Sequence, residues 1–286
     1  MNKKKLALLI TVVALMFMMS GCSLPVDENG KYILISLETT FDYMIENEGF
    51  FSAIFVYPLS QFINFVTPYT NVGVAILIVT VVINGIVLLL TLKQNVAMQK
   101  LQTIQPEAER IQRKYEGKTD ERSKMRQAQE IQALYQKHNI NPLASLVSTF
   151  VQFPILIAMY HAVIRSEAVA TGKFMGVSLE VSPLVGIKEG QFIYIAFFVV
   201  MIISQFASSL LPQELAKYRA KQEAERQHRA YRPAANNTTS IMYVMLITIS
   251  IVAVGWPTAM SFYWTISSLV NIVKALIIDQ ITSKSK

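Results

Sequence analysis

The stretch ILIVTVVINGIVLLLTLKQ, residues 76–94, decides the fold class. It is almost entirely hydrocarbon until Lys93, and a helix of about 20 such residues crosses the ~30 Å hydrocarbon core of a bilayer. Asn84 and Gly85 interrupt it near the middle of the span. Because an amide is costly in hydrocarbon unless it is hydrogen-bonded, Asn84 calls for a structural or functional reason.

The composition of the whole chain favours a membrane protein. The 286 residues are 52% hydrophobic and 16% charged, with a formal net charge of +7. A soluble domain is about 25% charged, so this chain is too apolar for a single water-soluble core.

The N-terminus, MNKKKLALLITVVALMFMMSGC (1–22), has the pattern of a secretory signal. Three lysines precede an apolar stretch, and Ser20 and Gly21 precede Cys22, as in a bacterial lipoprotein signal. We predict that 1–21 is removed and that a diacylglyceryl lipid is attached to Cys22, which is the single cysteine and so allows no intrachain disulfide. The alternative is an incidental cysteine in an uncleaved anchor. Both interpretations place the chain after Cys22 outside the cytoplasm.

Five further apolar segments predict five transmembrane helices, because a helix satisfies its own backbone hydrogen bonds in lipid. The predicted crossings are 72–92, 143–164, 191–211, 241–256 and 259–278. The Phe-rich region 50–69, broken by Pro58, predicts an interfacial amphipathic helix within the N-terminal segment 22–71. The predicted fold class is therefore an all-α polytopic membrane protein.

The charges orient these crossings. Segment 93–142 holds ten Lys/Arg and six acids, and 212–238 holds six Lys/Arg and three acids. By contrast, 22–71 has one lysine and six acids, and 165–190 is balanced at three each. The positive-inside rule therefore places the mature N-terminus outside and the tail 279–286 in the cytoplasm. Topology accounts for the basic excess, so direct nucleic-acid recognition is not predicted.

The two cytoplasmic segments differ in pattern. In 93–142, apolar residues recur at helical spacing on both sides of Gly117, which predicts two amphipathic helices in an antiparallel hairpin. The loop 212–240 predicts a helical extension of the third crossing followed by a Pro/Asn-rich linker, which can lie against anionic lipid headgroups.

A search for catalytic chemistry is negative. The sequence contains no H-E-x-x-H, G-x-S-x-G or Gly-rich phosphate motif. His138, His161 and His228 are scattered, and the carboxylate nearest a crossing is Asp279 at a cytoplasmic end. We therefore predict a protein that is not an enzyme and binds no metal or cofactor, apart from the lipid on Cys22.

Polar side chains do occur within the crossings. Thr80 and Asn84 share one helix face, and Ser204 and Gln205 lie in the third crossing. Further polar residues lie in the second and fifth crossings: Ser145, Ser148, Thr149, Gln152, Ser261, Thr265, Ser268 and Asn271. Two interpretations stay open, namely ordinary interhelical hydrogen bonds and a water-accessible concavity.

Four sequence segments resemble the YidC/Oxa-type membrane protein insertases, in particular the Gram-positive branch with a lipoprotein signal. They are TLKQ (91–94), MQKLQTIQPEAERIQRKY (98–115), ALYQKHNINPLASLVSTFVQFPILIAMYHAVIR (133–165) and SFYWTISSLVNIV (261–273). The most specific part is 141–156, and the similarity extends over about 50–280. The resemblance implies an insertase and chaperone with a hydrated groove that is open to cytoplasm and lipid.

The chain departs from that family at the position of the groove arginine, where it has Asn84. Arg165 lies at an outer end and Lys274 near an inner end, so neither is predicted to replace the missing charge. We predict that Asn84 lines the groove as a neutral amide; the alternative is that it only tethers neighbouring helices. The predicted groove residues are Asn84, Thr80, Gln152, Gln205, Trp264, Tyr263 and Ser268.

The resemblance implies nascent membrane proteins as substrates, with membrane lipids and the Sec translocon as further partners. The tail SKSK (283–286) is short, so we expect weak ribosome binding, and we expect a monomer to function in the bacterial cell membrane. Two other classes stay open. One is an assembly factor or regulator that binds membrane proteins without inserting them, and the other is a small-solute transporter, although no internal repeat is visible.

Overall fold

The computed structural model describes residues 24–140, 142–226, 228 and 237–284. The predicted signal 1–21 and Cys22 lie outside these residues. The helices are α1 (Phe41–Asn47), α2 (Tyr57–Val66), α3 (Val72–Lys114), α4 (Glu121–Lys137), α5 (Pro142–Arg165), α6 (Glu167–Thr171), α7 (Pro183–Lys188), α8 (Ile193–Arg226), α9 (Asn237–Ala253) and α10 (Thr258–Lys284).

Short irregular elements complete the described part. A π-helical turn, Ser52–Val56, precedes α2, and a 3-10 turn, Thr67–Tyr69, follows it. Strands β1 (Lys173–Phe174) and β2 (Val177–Ser178) form an antiparallel pair in which Phe174 lies opposite Val177.

The predicted fold class, an all-α polytopic membrane protein, is confirmed. Three helices of the described residues are long and apolar enough to cross a membrane, namely Val72–Lys114, Ile193–Arg226 and Thr258–Ser283. Met242–Ala253, within α9, is a shorter apolar helix. The count of five crossings stays a prediction, although α5, with 24 residues, covers the predicted second crossing.

Two of the long helices continue well past the predicted crossings. α3 has 43 residues and α8 has 34, whereas about 20 residues cross the hydrocarbon core. In α3 the polarity changes at Lys93, but no glycine follows until Gly117, and Pro106 is accommodated inside the helix. The end of the apolar run therefore does not mark the end of the helix.

The chain divides into two compact units. Unit 1 comprises the described residues of Met1–Ile83, Val151–Met201 and Val254–Ile266. Unit 2 comprises the described residues of Asn84–Phe150, Ile202–Ala253 and Ser267–Lys286.

In unit 1, the N-terminal segment is attached to the C-terminal end of α5. Fully buried Ile35 donates its N–H to the Arg165 carbonyl at 2.7 Å, and Glu167 donates its N–H to the Ile35 carbonyl at 3.1 Å. The amide of Asn64 donates to the same Ile35 carbonyl at 2.6 Å. Asn64 Oδ1 accepts from the Ser166 hydroxyl at 2.5 Å. One buried asparagine thus connects α2, the N-terminal segment and the end of α5.

The two faces of α2 differ, as the amphipathic pattern predicts. Leu59 and Ile63 are buried, whereas the rings of Phe62 and Phe65, and that of Phe55 in the preceding turn, are exposed. Such an aromatic face suits a membrane surface; the interfacial location of this helix stays a prediction.

In unit 2, the C-terminal part of α3 packs against α4. Ile104 and Ala108 of α3 form a buried cluster with Leu134 of α4 and the following Ile140. The turn between the two helices contains Gly117 at φ +79°, a backbone conformation that glycine adopts without strain. Apolar spacing on both sides of Gly117 therefore produces one shared core.

Polar contacts support the start of α4 and its packing. Asp120 caps the helix, because its carboxylate accepts the N–H of Ser123 at 2.8 Å. Glu130 accepts from Lys114 Nζ at 2.6 Å and from the Tyr115 hydroxyl at 2.7 Å. These hydrogen bonds, that from Lys114 first and that from Tyr115 second in effect, hold the pKa of Glu130 below its usual value.

Candidate functional site

A row of polar side chains, Asn84, Thr91, Asn95 and Gln99, follows one side of α3 within unit 2. Their separations of seven, four and four residues place them on one helix face. Asn84, Thr91 and Gln99 are 7%, 2% and 7% exposed, whereas Leu89 on another face is 78% exposed. We call this row the α3 polar face. It is directed into the protein, and the leucine side is directed outward.

Thr91 and Asn95, in the middle of the α3 polar face, form hydrogen bonds within the helix. The Thr91 hydroxyl donates to the Val87 carbonyl at 2.6 Å. Asn95 donates its amide to the Thr91 carbonyl at 2.9 Å and to the Thr91 hydroxyl at 2.8 Å. Such local bonds offset part of the cost of placing polar side chains in an apolar helix.

Two of the predicted groove residues, Gln205 and Ser268, are in direct contact in unit 2. The Ser268 hydroxyl donates to Gln205 Oε1 at 2.8 Å and so joins α10 to α8. Ser268 is buried, while Gln205 is only partly buried. This contact is an interhelical hydrogen bond, and it is compatible with a polar lining of the groove.

A second contact joins three helices toward the C-terminal end of α10. Asp279 accepts from Arg219 Nε of α8 at 2.8 Å and from Gln99 Nε2 of α3 at 3.0 Å. The second guanidinium nitrogen of Arg219 binds the other carboxylate oxygen at 2.5 Å. Thr282 completes the set, because its hydroxyl donates to Gln99 Oε1 at 2.8 Å. We call these four residues the end network.

The predicted aromatic groove residues lie in unit 1, where neighbouring positions face different surroundings. Tyr263 is buried, whereas Trp264 is partly exposed and packs on Trp256 with ring centroids 5.2 Å apart. Trp256 in turn packs on Tyr160 at 5.3 Å. Trp264 therefore belongs to a run of three aromatic rings, which the sequence analysis did not anticipate.

The remaining predicted groove residues of unit 1 are Thr80 and Gln152. Thr80 is fully buried, and its hydroxyl donates to the Ile76 carbonyl at 2.6 Å. Gln152 is partly exposed on α5. Thr80 lies one turn before Asn84 on α3, as the spacing predicts.

The sequence analysis missed Thr91, Asn95, Gln99 and the pairing of Asp279. The first three could have been found, because the seven- and four-residue spacing from Asn84 continues past Lys93. The analysis stopped at the end of the apolar run. No sequence pattern indicated the pairing of Asp279, because its partner Arg219 lies on another helix and is one of several basic residues there.

The described residues contain no group of three or more His, Cys, Asp or Glu side chains that could hold a metal ion. His138 follows α4, and buried His161 packs beside Tyr160 on α5 at 5.8 Å between ring centroids. His138 and His228 belong to unit 2, whereas His161 belongs to unit 1.

Comparison with known proteins identifies a family and several relatives. The family model of the 60Kd inner membrane protein matches residues 62–285. The chain is 32% identical to membrane protein insertase YidC 2 of Bacillus anthracis over 280 residues, which cover 96% of this chain and 94% of that protein. It is 28% identical to membrane protein insertase MisCA of Bacillus subtilis over 278 residues, which cover 96% and 92% of the two chains.

Proposed function

The chain belongs to the 60Kd inner membrane protein family and is a YidC-type membrane protein insertase, and we propose that the polar groups of unit 2 receive the hydrophilic part of its substrates. It is a cell-membrane protein that acts on newly made membrane proteins. The observation that carries the proposal is the α3 polar face together with the Gln205–Ser268 contact. These groups are directed inward by helices whose other faces are apolar.

The task of an insertase explains why such groups are useful. A charged residue at the centre of a bilayer costs about 2.5–3.5 kcal/mol on insertion scales. Amide and hydroxyl groups along the path, with water, replace part of the lost hydration of a polar peptide segment. The hydrophobic segment of the substrate then moves into lipid, and its transfer drives the step.

Asn84 gives this path a neutral character at the position where the family carries arginine. An amide donates and accepts hydrogen bonds but carries no fixed charge. Substrates with few acidic residues in the translocated segment are therefore expected to be favoured. Its burial at 7% means that the substrate has to displace neighbouring side chains to reach it.

The orientation follows from the charges. Segments 93–142 and 212–238, with their Lys/Arg excess, lie in the cytoplasm, and the N-terminal segment lies outside with a diacylglyceryl lipid on Cys22. The hairpin of α3 and α4 then faces the cytoplasm, where nascent chains arrive.

Other parts of the proposal concern partners and the aromatic residues. The protein works as a monomer, beside the Sec translocon when a substrate requires it, and binds ribosomes weakly through its short tail. Partly exposed Gln152 and Trp264 contact substrate, whereas buried Thr80 and Tyr263 support helix packing.

Site-specific photocrosslinking tests the path. A photoreactive residue replaces Asn84 or Gln205, and in a control variant it replaces Leu89 on the outward face of α3. Each variant is then incubated with stalled nascent chains and irradiated. The translocated polar segment is expected to crosslink at positions 84 and 205 and not at 89. Equal crosslinking at 84 and 89 would refute the proposed path.

The substitution Asn84→Arg tests whether the absence of charge at position 84 determines which substrates are inserted. We expect it to increase insertion of a substrate with an acidic translocated segment relative to a matched neutral one, because an added cation attracts carboxylates. Identical responses of the two substrates would show that charge at position 84 does not set preference, and would favour a tethering role.

A further inference from the structure

The end network lies where three helices of unit 2 meet. Gln205 of α8 binds Ser268 of α10. Further along both helices Arg219 binds Asp279, so α8 and α10 run parallel. Gln99 brings α3 to the same end through its hydrogen bond to Asp279. With the orientation proposed above, this end of the three helices faces the cytoplasm.

The α3 polar face leads to this network. Gln99 belongs to both, and it lies about 22 Å beyond Asn84 along the helix. Both ends of its amide are occupied, because Nε2 donates to Asp279 at 3.0 Å and Oε1 accepts from the Thr282 hydroxyl at 2.8 Å. A polar peptide that follows the α3 polar face from the cytoplasm therefore reaches Gln99 first, and these hydrogen bonds have to break before it can pass.

The charged and the neutral members of the network differ in burial. The side chains of Arg219 and Asp279 are 23% and 14% exposed, whereas Gln99 and Thr282 are buried. The ion pair is thus in reach of solvent, and the amide and hydroxyl lie inside it. Because water hydrates the two charges once they separate, a partly exposed ion pair opens at a moderate cost.

Gln94 shows that the interior of unit 2 has unused hydrogen-bonding capacity close to the network. It lies on α3 between Thr91 and Gln99. Its amide oxygen is buried without a hydrogen-bond partner among the residues that the structure describes. A buried acceptor in this state costs free energy, which a hydrogen bond recovers. Entry of water or of a peptide N–H is therefore favoured once the network opens.

We propose that the end network closes the α3 polar face toward the cytoplasm and opens when a substrate enters. The proposal rests on the function proposed above. In the closed form, the contacts of Asp279 with Arg219 and Gln99 hold the ends of α3, α8 and α10 together. The N–H donors of an arriving peptide compete for the Asp279 carboxylate, and Gln99 is then free to bind the peptide. A protein without substrate thus admits little water along its polar groups.

Cysteine labelling of the full-length protein tests the closure. Thr91→Cys places a thiol at a buried position of the α3 polar face. Inverted membrane vesicles present the cytoplasmic side to a membrane-impermeant maleimide, and the labelling rate is measured. The network is left intact, changed by Arg219→Gln, or reversed in charge by Arg219→Asp together with Asp279→Arg. A chain without the added cysteine gives the background.

We expect Arg219→Gln to accelerate labelling at position 91 about tenfold, the scale of one lost hydrogen bond to a charged group. Labelling of a buried thiol follows the population of the open form, which the substitution raises. The charge-reversed pair should restore slow labelling, because it again places opposite charges on α8 and α10. Glu214→Gln, which removes an exposed ion pair of α8, should leave the rate unchanged.

Three results would overturn the proposal. An unchanged rate in Arg219→Gln means that the network does not close the path. Equal acceleration at Ala108→Cys, a buried position in the core that α3 shares with α4, means that unit 2 loosens as a whole. Rapid labelling in the charge-reversed pair means that the attraction between α8 and α10 does not maintain the closed form.

Labelling requires no substrate, so this proposal and the proposed function fail separately. Photocrosslinking of a stalled nascent chain from position 84 should be faster in Arg219→Gln than in the unmodified protein, because the path is already open. Slower crosslinking would overturn the closure and make Arg219 part of substrate binding. If crosslinking at position 84 is absent from both proteins while labelling still responds, the substrate path is refuted and the closure is retained.

Discussion

Arg165 and Glu48 form a bidentate ion pair whose side chains are 0% and 6% exposed. One guanidinium nitrogen lies 2.7 Å from Glu48 Oε2, and Nε donates to the Ile33 carbonyl at 2.7 Å. The charge at the end of α5 is thus satisfied by the N-terminal segment. Two buried charges gain little net stability as a pair, but either one without its partner is strongly destabilising.

Glu48→Gln should therefore destabilise unit 1 strongly, by about 3–5 kcal/mol, because it leaves Arg165 buried without a countercharge. The expected observation is a lower melting temperature in detergent and faster hydrogen exchange at residues 33–36. Glu46→Gln, which changes an exposed carboxylate of α1 two residues before Glu48, is the matched control. Equal melting temperatures for the two variants would contradict the role of the pair.

The end network should hold α3, α8 and α10 together. Asp279→Asn removes the countercharge of Arg219 and weakens the hydrogen bond from Gln99. We therefore expect the free energy of unfolding to fall by about 1.5–3 kcal/mol, the range for hydrogen bonds to charged groups. Glu214→Gln is the control, because its pair with Lys217 is largely exposed and worth at most about 1 kcal/mol.

A double-mutant cycle distinguishes a specific contact from a general effect of charge. Arg219→Gln and Asp279→Asn, measured singly and together by thermal unfolding, should be non-additive. Additive effects would show that the pair contributes no coupling energy.

The Ser268–Gln205 contact should be weaker. Ser268→Ala removes an interhelical hydrogen bond, which in membrane proteins contributes about 0.6 kcal/mol on average and up to about 1.7. Thr265→Ala is the control, because the Thr265 hydroxyl donates to the Ser261 carbonyl of its own helix at 2.9 Å. Thermal unfolding of the two variants in detergent measures the difference, and equal losses of stability would contradict a contribution from the contact between α8 and α10.

The sequence predicted the fold class because long apolar runs have few alternatives: helices satisfy their own backbone in lipid. It also located Gly117 between two amphipathic segments, and the apolar spacing there produces the shared core of α3 and α4. Helix lengths were harder to predict, since hydropathy indicates where a crossing ends, and α3 continues past the predicted end at residue 92 to Lys114.

The candidate site was predictable only in part. Spacing within one helix identified Thr80 with Asn84, and the same rule extended further would have identified Gln99. Contacts between segments far apart in the chain, such as Arg219 with Asp279 or Arg165 with Glu48, depend on which segments are neighbours in the fold. A single sequence carries little information on that, so Arg165 was judged by its position near a membrane surface and its burial was missed.

Glu130 makes the packing of α4 against α3 dependent on pH. Its pKa is lowered in the folded protein by hydrogen bonds from Lys114 and Tyr115, so the unfolded state binds the proton more tightly. The stabilisation is therefore complete above the unfolded pKa, near 4.5, and is lost as the pH falls through the lower folded pKa. We expect hydrogen exchange in residues 121–137, corrected for the intrinsic rate, to accelerate relative to pH 7 as the pH falls below about 4.5. Glu130→Gln should reduce this acceleration, whereas Glu121→Gln, an exposed carboxylate of the same helix, should retain it. An unchanged pH response in Glu130→Gln would assign the effect to another group.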